Sequence, residues 1–147
     1  MPNVIDNAVA RVQAIGAAME AVSIKSAADY PTEAANPFPM MVTFVSSGTA
    51  TLGNATTLYV YPSLRVEFHF SPVDLKQTQK DINAVIIEFM QRVAGDPTLA
   101  GLISTVQAGE DSPVIFNQSP AEYNKLKSQM LVFTLPFKIM LTPTSTP

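Results

Sequence analysis

Two segments of the chain carry apolar residues at the spacing of a helix. Over residues 4–22 and again over 74–94, apolar side chains recur three and four positions apart, which predicts two amphipathic helices. Asp74 with Gln77 is typical of a helix start, Glu88 and Arg92 are spaced to pair on the wet side, and Gly95 is a typical stop. The predicted buried faces are Ile5, Ala8, Val12, Ile15, Met19 and Val22 in the first helix and Ile82, Val85, Ile86, Phe89 and Val93 in the second.

Alternation of apolar and polar residues predicts the main strands. It is clear towards the end of 57–70, where Arg65, Glu67 and His69 point away from the apolar face, and it runs throughout 131–141. Segment 40–52 should pair with 57–70 as a hairpin turning at Gly53-Asn54, since these two residue types accept a positive φ. Pro62 indicates an edge, a bulge or a break in its strand.

The region between the second helix and the last strand gives weaker signals. In GDPTLAGLIS, residues 95–104, Pro97 predicts the first turn of a short helix, with Leu99 and Leu102 packed beneath the second helix. Short strands are predicted at 105–108 and 114–116. Ser119-Pro120 predicts a further helical turn.

This order of elements predicts a single α+β domain spanning residues 1–147. Its sheet should be mostly antiparallel, with the two main helices packed on one face. Residues 142–147 are expected to form a flexible tail.

The charge content sets this chain apart from ordinary soluble domains. Only 14% of its residues are Asp, Glu, Lys or Arg, against roughly 25% in typical domains, while 47% are hydrophobic. An under-charged surface indicates that part of it is covered by other copies of the chain. A monomer with an exterior rich in Ser, Thr and Asn is the alternative.

The lack of charge is concentrated in the predicted hairpin. Between Glu33 and Arg65 there is no Asp, Glu, Lys, Arg or His. Proteins usually protect an open strand edge with charges, so this edge should be covered by a neighbouring copy, by another ring, or by the protein's own fold. The residues predicted at assembly interfaces are Phe44, Val45, Leu52, Leu58 and Tyr59.

Candidate chemistry is sparse along the chain. There is no cysteine and one histidine, His69, so zinc-ligand spacing is absent. Ser71 and Asp74 follow His69 closely, but nearness in sequence is no evidence for a triad, and Glu110-Asp111 has the surroundings of a solvated loop. We therefore expect no enzyme activity, no cofactor and no metal.

Location and nucleic-acid binding are predicted from charge and hydropathy. The net charge is -3 and the basic residues are scattered, which disfavours nucleic-acid binding. No signal peptide and no membrane span are expected.

With these elements placed, nearly the whole chain resembles the tail terminator family of long-tailed phages. The resemblance is carried by the opening helix, the Pro-rich approach to PFPMMVTF, and the strand and helix in LRVEFHFSPVDLKQTQKDINAVIIEFMQRV. It continues through GDPTLAGLIS, which is similar to the family's short Asp-x-x-Leu-x-Gly segment, and ends with the strand MLVFTLPFKIML.

The resemblance implies a structural virion protein without catalysis. Members form a hexameric ring that caps the tail tube, stops its growth and provides the docking face for the head. The implied partners are further copies of the chain, the tail tube protein and a head or neck connector protein, with DNA passing through the lumen without sequence-specific binding. The implied location is the tail–neck junction of the virion, after assembly in the host cytoplasm. A phage neck connector ring and an oligomeric α+β ligand-binding module remain as alternatives.

Overall fold

The fold combines two helices with a curled sheet, which confirms the α+β class. A computed structural model describes residues 3–28, 38–54, 56–106, 113–123 and 126–144. The helices are α1 (Val4–Ala17) and α2 (Leu75–Ala94). The strands are β1 (Ser26–Ala28), β2 (Met40–Asn54), β3 (Thr57–Phe70), β4 (Thr105–Val106), β5 (Ile115–Tyr123) and β6 (Leu126–Leu141).

The sheet is built around three long strands. β3 pairs antiparallel with β2 on one side and with β6 on the other, so it lies in the interior of the sheet. β5 and the short β4 pair antiparallel with the far side of β6, while β1 pairs in parallel with the start of β2. The predicted hairpin and the long last strand are therefore confirmed. At Pro62 the pairing of β3 with β6 is interrupted, as its missing N–H requires.

Both helices contact the same face of the sheet. The ring of Phe89 on α2 lies 5.2 Å from that of Phe68 on β3 and 4.8 Å from that of Phe133 on β6. On α1, Gly16 provides a close approach, because a Cβ there would lie 2.4 Å from the sulfur of Met41. These contacts place the core between the two helices and the part of the sheet that contains Met41, Phe68 and Phe133.

The first helix is shorter than the sequence predicts. It ends at Ala17 rather than at residue 22, although Met19 and Val22 are buried as expected. The reason is a carboxylate from the other helix: Glu88 accepts hydrogen bonds from the amides of Glu20 at 2.9 Å and Ala21 at 2.7 Å. These amides then have partners outside the helix, and the chain turns away.

The segment after α2 contains no helix, which corrects the prediction for 97–103. Leu99, Ala100 and Gly101 have φ values of 48°, 58° and 84°, a left-handed turn rather than a helical one. Asp96 holds this turn, because its carboxylate accepts from the amide of Ala100 at 2.8 Å and from Arg11 at 2.8 Å. The turn brings the chain to β4, so the break after α2 does return the chain to the sheet.

Two smaller predictions are wrong. Ser119-Pro120 lies inside β5 rather than in a helical turn, and Pro120 is tolerated there because β5 pairs with β6 alone among the described strands. Gly53 continues β2 without a positive φ; a Cβ at this position would lie 3.1 Å from the Tyr59 ring. Three predicted segments lie wholly or partly outside the described residues. They are the loop at Glu110-Asp111, the end of the predicted strand at 107–108, and the tail at 145–147.

The first testable prediction concerns Glu88. Its amide bonds to Ala21 and Glu20, helped by Arg92, lower the pKa of this carboxyl below its ordinary value of 4.5. A lowered pKa contributes stability that is fully present above pH 4.5 and is lost as the pH falls through the folded-state value. We expect Glu88→Gln to be less stable at neutral pH and to lose less stability on acidification, as measured by urea unfolding from pH 7 downwards.

The matched control for this prediction is Glu122→Gln, on the exposed edge strand β5. Its acid-unfolding profile should follow that of the wild-type protein. Equal profiles for Glu88→Gln and wild type would contradict the role assigned to the Glu88 carboxylate.

The second prediction compares the two leucines of the turn. Leu99 is completely buried, whereas Leu102 is only partly buried against the core. Leu99→Ala should lower the free energy of unfolding by about 2–5 kcal/mol because it leaves a cavity, and Leu102→Ala should cost less. Chemical denaturation measures both, and a larger loss in Leu102→Ala would contradict this packing.

Candidate assembly surface

Most of β2 forms an open edge of the sheet. β1 pairs only with residues 40–42 of β2, and from Thr43 to Asn54 the described strands provide pairing on the β3 side alone. Residues 45–53 of this strand are exposed. The edge also carries no charged side chain, so the usual protection against pairing with another chain is missing.

Three leucines form an apolar cluster at the far end of this hairpin. Leu58 lies opposite Leu52 on β2 and opposite Leu141 on β6, so all three share one face of the sheet. Leu52 is 86% exposed and Leu141 is 37% exposed. We call these three residues the tip cluster. They lie beyond the part of the sheet that is buried beneath the helices.

The opposite face of the hairpin end is aromatic. Tyr59 stacks on Tyr61 with 6.5 Å between ring centroids, and the Lys138 ammonium lies 4.9 Å from the centre of the Tyr59 ring. Met140, which lies opposite Tyr59 in register, is exposed. This face therefore combines apolar and aromatic surface with one cation.

The five residues predicted at interfaces do not form one patch. Leu52 and Leu58 belong to the tip cluster, while Tyr59 points to the opposite face. Phe44 and Val45 lie nearer the middle of β2, beside a bulge, where Phe44 is half-buried and Val45 is 38% exposed.

Sequence reasoning missed the contributions of β6 to this surface. Leu141, Met140 and Lys138 lie beside the hairpin only because β6 pairs with β3 over its whole second half. The alternation along 131–141 indicated which way each residue points. It carried no information about the register with β3, so these neighbours could not be predicted.

A chain of buried polar side chains runs from β3 to β6, beside the part of β2 that pairs with β1. Arg65 donates to Glu67 at 2.5 Å, Glu67 lies 3.0 Å from Nε2 of His69, and Nδ1 of His69 lies 2.7 Å from the hydroxyl of Ser128. Glu67, His69 and Ser128 are all buried. The alternation that placed His69 on the same face as Arg65 and Glu67 is confirmed. At Glu67 and His69, however, that face is buried rather than exposed to solvent.

Three of these side chains follow one another as a hydroxyl, an imidazole and a carboxylate: Ser128, His69 and Glu67. That order is found in serine hydrolases, where the carboxylate stabilises the imidazolium that forms during the reaction. Here the Glu67 carboxylate already pairs with Arg65, and the Ser128 side chain lies within strand β6. Buried and mutually bonded polar groups of this kind fix the register of β3 against β6. Ser71 and Asp74, the neighbours of His69 in sequence, serve the start of α2 instead: Ser71 accepts from Val73 N and Asp74 is the N-cap.

A pocket of about 430 Å³ lies at the other end of the sheet, where β3 passes into α2. Ser128 brings the end of the polar chain to its wall. Close by in the chain, Val73 is 88% exposed and Leu75 is also exposed. We call this cavity the end pocket; it is lined by Pro72, Pro120, Ala121, Glu122, Lys127, Ser128 and Gln129.

The described part of the chain has neither a metal-binding cluster nor a membrane-spanning helix. Its His, Asp and Glu side chains form no group of three that could hold a metal ion. None of its helices is long and apolar enough to cross a membrane. With the surface geometry in hand, comparison with known proteins finds no matching family and no matching curated protein.

The third prediction tests the buried polar chain. Ser128→Ala removes the hydroxyl that bonds Nδ1 of His69 and should lower the free energy of unfolding by about 1–3 kcal/mol. In a His69→Leu background the same change should cost less, because the hydrogen-bond partner has already gone. A double-mutant cycle by chemical denaturation measures this coupling. Strictly additive losses would show that the two groups do not depend on each other.

Proposed function

We propose that this protein is a structural ring component that caps the tail tube of a long-tailed phage, stops its growth and provides the docking face for the head. The resemblance of the chain to tail terminators suggests the specific role. The partners in this proposal are further copies of the chain, a tail tube protein and a head or neck connector protein. DNA passes through the ring, and the protein performs no catalysis.

The observation that carries the proposal is the open, uncharged edge of β2. An edge of this length would pair indiscriminately if it stayed in water, so a second protein surface is its expected cover. The tip cluster adds apolar area at the end of the same hairpin, with Leu52 almost fully exposed. A ring gives every copy such a cover, because each open surface meets the next subunit.

Two alternatives differ in their partners or in their site. A neck connector ring would use the same kind of subunit contact but bind neighbours other than the tail tube. A ligand-binding module could use the end pocket, whose polar lining residues are Glu122, Lys127, Ser128 and Gln129. Binding to purified tail tubes separates both alternatives from the terminator.

The fourth prediction places charge on the open edge. Thr43, an obvious sequence-based choice, is unsuitable because it is completely buried, and its hydroxyl has no partner among the described residues. Thr49 and Thr51 are exposed on the same strand. Thr49→Lys with Thr51→Lys should leave the melting temperature within a few degrees of wild type and abolish rings and tube capping, because the edge now repels its cover.

Light scattering measures the mass of the assembly, and electron microscopy of tail tubes counts capped ends. The matched control is Ala10→Lys with Ala17→Lys, which adds the same charge to the exposed side of α1. Rings that still cap tubes in the edge variant would overturn the proposal. A monomeric wild-type protein that never binds tubes at any concentration would do the same.

A further inference from the structure

The turn after α2 contains three consecutive residues in the left-handed region of backbone conformation. Leu99, Ala100 and Gly101 have φ values of 48°, 58° and 84°. Glycine adopts such values freely, but in Leu99 and Ala100 the Cβ comes too close to the following carbonyl oxygen. Strained residues of this kind persist only where other contacts hold them, and they are typical of segments that switch between two conformations.

Two polar side chains hold the strained turn. The carboxylate of Asp96 accepts from the amide of Ala100 at 2.8 Å and from Arg11 on α1 at 2.8 Å. The hydroxyl of Thr98 accepts from the amide of Gly101 at 3.2 Å. All three hydrogen bonds lie at the exposed surface, so water competes with each of them.

Backbone hydrogen bonds close the same segment into a loop on the sheet. The amide of Val106 donates to the carbonyl of Pro97 at 2.8 Å, and the amide of Ser104 donates to the carbonyl of Lys138 on β6 at 2.9 Å. We call residues 96–106 the strap. Its pairing with the sheet is short, because β4 contains two residues.

The strap covers one side of β6 next to the candidate assembly surface. On the side of β6 away from β3, β5 pairs as far as Thr134, and β4 pairs with Phe137 and Lys138. The ammonium of Lys138 also lies 4.9 Å from the centre of the Tyr59 ring, on the aromatic face of the hairpin end. Without β4, the described strands would leave this side of β6 unpaired beyond Thr134.

We propose that the strap is a latch, which is held closed on β6 against backbone strain and opens as one unit while the rest of the fold stays intact. Opening lets Leu99 and Ala100 return to relaxed backbone conformations and separates β4 from β6. The second half of β6 then presents an open edge, on the side of the sheet opposite the open edge of β2. The inference is argued from the fold and does not depend on the proposed function.

Burial of apolar side chains makes the closed strap the major state. Leu99 is completely buried, and Ile103 and Val106 are nearly so, which opposes opening. The ring contacts of Phe89 with Phe68 and Phe133 lie outside the strap, so the centre of the core stays packed when the strap opens. Opening is therefore a minor excursion of the folded protein rather than the first step of its unfolding.

Hydrogen exchange of the folded protein in increasing low concentrations of urea, followed by NMR, tests the latch. Local opening exposes little surface, so it responds weakly to urea, whereas exchange through global unfolding responds strongly. We expect the strap amides to share one weakly urea-dependent opening and to exchange at least about tenfold faster than the amides in the centre of β3. The Ser104 amide reports the separation of β4 from β6, and the others to be followed are those of Leu102, Ile103 and Val106.

Two substitutions should move this opening in opposite directions. Ala100→Gly removes the strain at an exposed residue and should slow exchange of the strap about 3- to 10-fold. Asp96→Ala removes the carboxylate that holds the turn and should accelerate it about 10- to 100-fold. The matched control is Ala14→Gly, at an exposed position inside α1, which should not slow exchange of the strap.

Arg11→Gln is a milder companion to Asp96→Ala, because it removes one partner of the carboxylate and leaves the bond to Ala100. It should accelerate exchange of the strap less than Asp96→Ala does. Strap amides that exchange only with β3, at the same urea dependence, would overturn the latch, as would four unrelated exchange rates. Unchanged or faster exchange in Ala100→Gly would show that the closed turn is not strained and would equally overturn it.

Discussion

The packing of Phe89 between the two central strands determines how the rest of the sheet is exposed. This ring contacts Phe68 on β3 and Phe133 on β6, so α2 is fixed over the half of the sheet nearest its own start. The core face of β3 is fully buried from Leu64 to Phe70, and it is only half-buried at Leu58 and Val60. The hairpin end therefore projects past the helices. Its exposed leucine follows from the position of α2, since neither α1 nor α2 extends over that half of the strand pair.

The same central strands are also covered on the face opposite the helices. His69 and Glu67 are buried there and bonded to Ser128 and Arg65, so β3 and β6 are joined by polar as well as apolar contacts. A slip of one residue between these strands would separate the imidazole from the hydroxyl and turn core side chains outward. Register between β3 and β6 is thus specified twice, which keeps Leu141 of β6 opposite Leu58 of β3 in the tip cluster.

The sequence predicted what depends on local periodicity and missed what depends on distant partners. Both long helices, the hairpin and the last strand follow from spacing alone. The end of α1 could not be predicted from spacing, because it depends on Glu88, which is 68 residues away from Glu20. The turn at Leu99 and Ala100 could not be predicted from spacing either. Neither residue favours a positive φ, and the turn is held by the carboxylate of Asp96. The open edge was predictable from missing charge, but the tip cluster needed the register of Leu141.

The separation of β6 from β3 along the chain also has a consequence for folding. The hairpin of β2 and β3 is a local pairing, whereas β6 reaches β3 only after α2, β4 and β5 have been made. Closing so long a loop is slow compared with forming a hairpin. During that interval the hairpin lacks β6, and β3 is itself an edge. Newly made chains are therefore most prone to aggregate before β6 pairs, which makes synthesis rate and temperature as important to the yield of folded protein as its final stability.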